Sequence, residues 1–191
     1  MGQEKFAQSI KEHQKIVGAM GKEMAQELPE LARKLVEGFT REGRLVFAGS
    51  GAMGAAADLA AHLFRHRMSF DRPLLPALSI GRDSLLAHSL ARDGSYEEYF
   101  SRQLRALGLS DDMIVFFADS HRDPALVHAM ELCKELGCLS ALFVYGKAEG
   151  EFDGTDFLFQ VDTASVARGL EAAVMFATML CELVEYELFG V

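Results

Sequence analysis

Apolar and polar positions fall into two successive rhythms along this chain. Between residues 3 and 42 the apolar side chains recur at helical spacing: Phe6, Ile10, Ile16, Val17, Met20 and Met24, then Leu28 to Phe39 beyond Pro29. That period predicts an amphipathic helical arm, with Pro29 in the first turn of a second helix. Beyond residue 43 short apolar runs alternate with helical segments. The runs predict strands over 45–48, 77–80, 113–117, 140–144 and 157–160, and the segments predict helices over 55–67, 83–91, 96–107, 124–136 and 165–188. Asp123 and Pro124 read as a cap and first position of the fourth of these, and Gly137 as its stop. Strands alternating with helices predict a parallel five-stranded sheet in a three-layer α/β/α sandwich. The arm (1–42) and the sandwich (43–191, one structural unit) are the two parts expected.

Half of the 191 residues are apolar, enough for a sizeable core. The formal charge of −9 argues against direct binding to nucleic acid or an anionic membrane surface. No apolar run reaches the roughly 20 residues of a membrane span, and Met1 to Gln14 lack a signal-peptide core, so a cytoplasmic location is expected. Cys133, Cys138 and Cys181 have no CxxC spacing and read as reduced, buried thiols.

In an open parallel sheet ligands bind beyond the carboxyl ends of the strands. Gly49-Ser50-Gly51 follows the first strand and leads into a helix, an arrangement that normally aims backbone N–H groups at an anion. Ala118-Asp119-Ser120-His121-Arg122-Asp123 follows the third strand, where a second cradle is expected. Ser120 and Arg122 suit a phosphate, whereas Asp119 and Asp123 repel it. Asp83 and Asp93 border the segment after the second strand and read either as ligand contacts or as turn and capping residues.

Arg72-Pro73-Leu74-Leu75-Pro76-Ala77-Leu78-Ser79-Ile80, Tyr96-Glu97-Glu98-Tyr99-Phe100 through Gly108, and Leu180-Cys181-Glu182-Leu183-Val184-Glu185 form a pattern. It resembles the phosphoheptose isomerase (sedoheptulose 7-phosphate isomerase) branch of the SIS, or sugar isomerase, domain family. The likeness runs through nearly the whole chain and implies the SIS fold. The branch uses a GNGGS-like first loop and an STSGNS-like second loop. Its acid, base and zinc ligands are a His and a Glu four apart on the first helix of the sheet domain, and a Gln and a His eight apart on the last helix. Counted without gaps, those positions fall here on Leu59, Leu63, Leu170 and Thr178, none suited to the proton transfers of isomerisation. The resemblance therefore implies no catalytic set and no cofactor. His62 and His66, four apart on the same helix, are weak metal candidates, with Glu171 as a remote complement; paired surface histidines are the plainer reading. Asp119, His121 and Asp123 pose the same choice between a cation site and a helix cap.

The expected function is a degenerate, non-catalytic relative of these isomerases acting as an oligomeric binding or scaffold module. The branch already includes such a type, the DnaA initiator-associating proteins. The resemblance implies self-association, as a tetramer, and contact with an unidentified protein partner or a sugar phosphate. A working sedoheptulose 7-phosphate isomerase and a non-catalytic sugar-phosphate sensor are the alternatives. Gly49, Ser50, Gly51, Asp83, Asp93, Asp119, Ser120 and Arg122 are the candidate ligand residues.

Overall fold

The computed structural model describes residues 2–107, 111–120, 122–146 and 154–190. Helix α1 (Gly2–Glu23) and helix α2 (Glu27–Thr40) precede the first strand, and the break between them lies just ahead of Pro29. The turn lets Leu28, Leu31 and Leu35 of α2 enter the core, while along α1 only Met20 is buried. Strands β1 (Leu45–Gly49), β2 (Ala77–Ile80), β3 (Met113–Ala118), β4 (Leu139–Tyr145) and β5 (Phe157–Val161) form one sheet of order β2-β1-β3-β4-β5. Every pairing is parallel, with Leu45 opposite both Ala77 and Met113.

The crossovers are α3 (Met53–Arg65), α4 (Ser84–Asp93), α5 (Tyr99–Leu107) and α6 (Pro124–Leu136), and α7 (Val166–Phe189) follows β5. The segment 96–107 is not one continuous helix: Tyr96–Glu98 forms a single 3₁₀ turn before α5. Because side chains alternate across a strand, the sheet builds two cores. Leu45, Phe47, Val115, Phe117 and Phe143 pack with α2, α3 and α7; Val46, Ala48, Ile114, Phe116 and Leu142 pack with α4, α5 and α6. In the first core Phe176 of α7 meets Phe117, Phe143 and Phe159 with ring centroids 4.9–5.9 Å apart.

A buried ion pair joins the segment ahead of β2 to α7 on one side of the sheet. The Arg72 Nε donates to Glu185 Oε1 of α7 at 2.5 Å, and both side chains are excluded from solvent. Its Nη1 and Nη2 donate to the Phe64 and Leu63 carbonyls, each at 2.9 Å, in the last turn of α3. All three cysteines are free and buried. No helix among the described residues is long and apolar enough to cross a membrane.

Candidate functional site

The chain leaves β1 toward β2 on one side and returns to β3 on the other, so the order reverses at β1. Parallel sheets open a crevice at that point. A cleft of about 330 Å³ lies there, lined by Gly49 at the end of β1, Ser50 and Gly51 after it, Arg82 after β2, Tyr96 and Tyr99, and Asp123 before α6. Gly49 is required by space: a Cβ there would stand 2.5 Å from the Met53 carbonyl oxygen.

The first-turn donors of α3 do not point outward in the manner the glycine turn predicts. The Met53, Gly54 and Ala55 N–H groups donate to the Ser50, Gly51 and Ala52 carbonyls at 3.0–3.3 Å, and the Ser50 N–H donates to the Phe117 carbonyl at 3.2 Å. At α6 the Asp123 carboxylate accepts from the Ala125 N–H at 2.9 Å, and the Ser120 hydroxyl accepts from the Arg122 N–H at 3.1 Å. Pro124 has no N–H to offer. A carboxylate of the protein itself thus sits at the helix end that favours an anion.

Beside the start of α3 stands a polar cluster. Asp58, on α3, accepts from the Ser79 hydroxyl at 2.8 Å and from Arg82, whose Nη2 also reaches the Gly54 carbonyl at 3.4 Å. Burial pushes the Asp58 carboxyl up, but the hydrogen bonds from Arg82 and Ser79, with the charges of Arg82 and Arg65, outweigh it and hold the group below its ordinary value. Gln103 accepts from the Gly81 N–H at 3.1 Å. The Tyr99 hydroxyl donates to the Asp83 carbonyl at 3.2 Å, and burial, with Tyr96 nearby, raises its phenol. The Tyr96 and Tyr99 rings are stacked, 5.4 Å between centroids and 9° apart in plane.

Of the residues expected at the site, Gly49, Ser50 and Gly51 line the cleft. Asp83 caps α4, accepting from the Leu86 N–H at 2.9 Å, and Asp93 ends α4 in an exposed pair with Arg92. Asp119 and Arg122 are exposed beyond β3, with Ser120 between them. Leu59 is exposed on α3, Leu63 and Leu170 pack against the core beside α7, and Thr178 donates to the Met175 carbonyl at 2.8 Å. His62 and His66 stand exposed at the far end of α3, with ring centroids 5.6 Å apart. Glu171 is no complement to them: it pairs with His13 at 2.8 Å and Arg168 at 2.6 Å, and it lies about 21 Å along α7 from Glu185, which is beside the end of α3. No group of three metal-ligating side chains occurs among the described residues, and His121 lies outside them.

Sequence reasoning missed Asp58, Arg82, Tyr96 and Tyr99 as site residues. The signals were faint: one carboxylate in an alanine-rich helix, and two tyrosines three apart.

This arrangement of sheet, crevice and flanking helices defines an SIS-type α/β protein. A solved phosphoheptose isomerase from Francisella tularensis matches with a TM-score of 0.86 at 16% identity, covering 96% of this chain and 98% of that one. Another, from Neisseria gonorrhoeae, gives 0.85 at 18%, covering 97% and 99%. No protein-family model matches the chain. Among curated proteins, the phosphoheptose isomerase of Burkholderia pseudomallei is 30% identical over 185 residues, 95% of this chain and 93% of its own length. That of Aneurinibacillus thermoaerophilus is 30% identical over 168 residues, 87% and 84%. The chain belongs to the phosphoheptose isomerase family.

Proposed function

We propose that this chain is a non-catalytic phosphoheptose isomerase-like protein that acts as an oligomeric binding or scaffold module. The observation that carries the reading is the presence of Leu59, Leu63, Leu170 and Thr178 where the family resemblance places acid, base and metal ligands. Moving a proton between adjacent sugar carbons needs a group that can take it and another that can return it. The described cleft residues supply poor substitutes. Asp58 is engaged by Arg82 and Ser79 with a lowered pKa, Tyr99 is raised, and Asp123 caps a helix. The Asp58 and Tyr99 shifts both lead away from neutrality.

Self-association is supported by apolar side chains left in water. Phe6 and Ile10 of α1 and Met179 of α7 are exposed, and an apolar trough runs over Met20, Met24, Leu28, Met179 and Leu183. Helix α1 is held by Met20, by His13 on Glu171, and by Arg168 on the Ser9 carbonyl at 2.8 Å.

Incubation of the purified protein with sedoheptulose 7-phosphate, with and without zinc, followed by NMR of the sugar, tests the catalytic half. No turnover is expected, and turnover abolished by His62→Ala would overturn the reading. Sedimentation velocity tests the other half. A monomer at micromolar concentration would remove the oligomeric module.

A further inference from the structure

We propose that the cleft binds an uncharged sugar or polyol ring, stacked on Tyr96 and hydrogen-bonded by Arg82 and Ser50, in preference to a phosphorylated sugar. This rests on the reading of the chain as a binding module and names the ligand of that same site.

The charge in the cleft is the first reason. Arg82 is the cation in its lining, and Asp58 already neutralises it; Asp123 adds a carboxylate. Asp83 stands beside the lining, its carbonyl accepting from the Tyr99 hydroxyl, so the described lining offers a phosphate no unpaired cation. A phosphate entering there meets like charge. The two helix N-termini do not reverse this. The first-turn N–H groups of α3 donate to their own loop carbonyls, and the Asp123 carboxylate occupies the end of α6 that would otherwise draw an anion.

What remains suits hydroxyl groups. Nη2 of Arg82 is held by Asp58 and the Gly54 carbonyl, which leaves Nε and Nη1 without a protein partner among the described residues. The Ser50 side chain also has none and lines the same space. Both can donate to sugar oxygens, and Asp123, with Oδ1 engaged by one N–H, retains acceptor capacity. Tyr96 supplies a flat face. It is 48% exposed yet kept in place by stacking on the buried Tyr99 ring. The C–H face of a pyranose or furanose packs on such a ring, and the phenol hydroxyl stays wet. A volume of about 330 Å³ is at the small end of ligand pockets, as a monosaccharide requires.

Calorimetry and saturation-transfer NMR on the full chain, with matched pairs, test this: mannose against mannose 6-phosphate, and sedoheptulose against sedoheptulose 7-phosphate. A neutral member of a pair is expected to bind at least about tenfold more tightly than its phosphate. Tyr96→Ala and Arg82→Gln, with helix content checked by circular dichroism, should each lose that binding. Asp123→Ser, which keeps a capping oxygen but removes the charge, should narrow the discrimination. The proposal is overturned if the phosphate binds as well or better, if neither neutral sugar binds at millimolar concentration, or if Tyr96→Ala binds as before. Tighter phosphate binding without turnover would sink this ligand assignment and leave the non-catalytic reading intact, whereas turnover would sink the latter.

Discussion

Replacing Glu185 with alanine removes the counter-charge of a guanidinium that has no access to water. Arg72 and Glu185 have side-chain exposures of 0% and 1%, and the Arg72 fork also closes the carbonyl end of α3 through Leu63 and Phe64. Breaking such a pair from one side costs about 3–5 kcal/mol, because the remaining charge stays buried and unpaired. Native domains have only about 5–15 kcal/mol of stability in total. At about 2–4 °C per kcal/mol for a chain of this size, Glu185→Ala should lower the melting temperature by roughly 6–20 °C. The double variant Arg72→Met, Glu185→Leu should lose less than the sum of Arg72→Met and Glu185→Leu, since each single change leaves one charge buried and unpaired. Its residual cost comes from the Leu63 and Phe64 carbonyls, at about 1–3 kcal/mol for each one unsatisfied. Thermal and urea unfolding followed by far-ultraviolet circular dichroism, at one fixed protein concentration, measures the parent and all these variants on the same footing. The reasoning is refuted if Glu185→Ala costs less than about 1 kcal/mol, the value of a solvent-exposed pair. It also fails if the double variant shows the plain sum of the single losses.

A Cβ on Gly169 would come 2.3 Å from Cγ of the buried Tyr145 ring, so Gly169→Ala should destabilise the α7–β4 contact by about 1–3 kcal/mol in the same urea assay; an unchanged midpoint would contradict it. Burial pushes the thiols of Cys133 and Cys181 up to about 12 and about 11, and raises Cys138 as well. Ellman's reagent at pH 8 should therefore leave the native protein unlabelled and modify all three only in denaturant, and rapid labelling of the native state would count against this. Asp58 is held below its ordinary 3.8, so its pairing with Arg82 stabilises the fold above that value, and the contribution is lost as pH falls through the folded pKa. Both groups are more than a third exposed, which limits the effect to under about 1 kcal/mol. Arg82→Gln should shift the Asp58 carboxyl titration, followed by carbon-13 NMR, upward; an unmoved midpoint would separate the two groups.

The five strands and the caps of α6 were legible in the chain because their signals are local. A run such as Met113–Phe117 has no period but buried apolar side chains on both faces, and turn residues bound it. Asp123, Pro124 and Gly137 act on groups within a few residues of themselves, and the structure bears this out, with Gly137 at φ 68°. The cleft was half legible. Gly49, Ser50 and Gly51 announce a turn at a strand end, but a glycine turn specifies where the backbone bends and not which donors stay free. Hydrogen bonds inside the loop took up the first-turn donors of α3.

What the amino-acid sequence determined alone was the order of elements and the apolar runs of the two-faced core. Each is a matter of residue identity and short-range spacing. The tertiary structure alone decided that Arg72 meets Glu185, 113 positions away, that Glu171 serves the N-terminal arm and not His62 and His66, and that Asp58 reaches Arg82. Such pairings depend on which strand neighbours which and on how far each helix travels before it ends. Those distances are set when the sheet assembles in the order β2-β1-β3-β4-β5, and no window of neighbouring residues contains them.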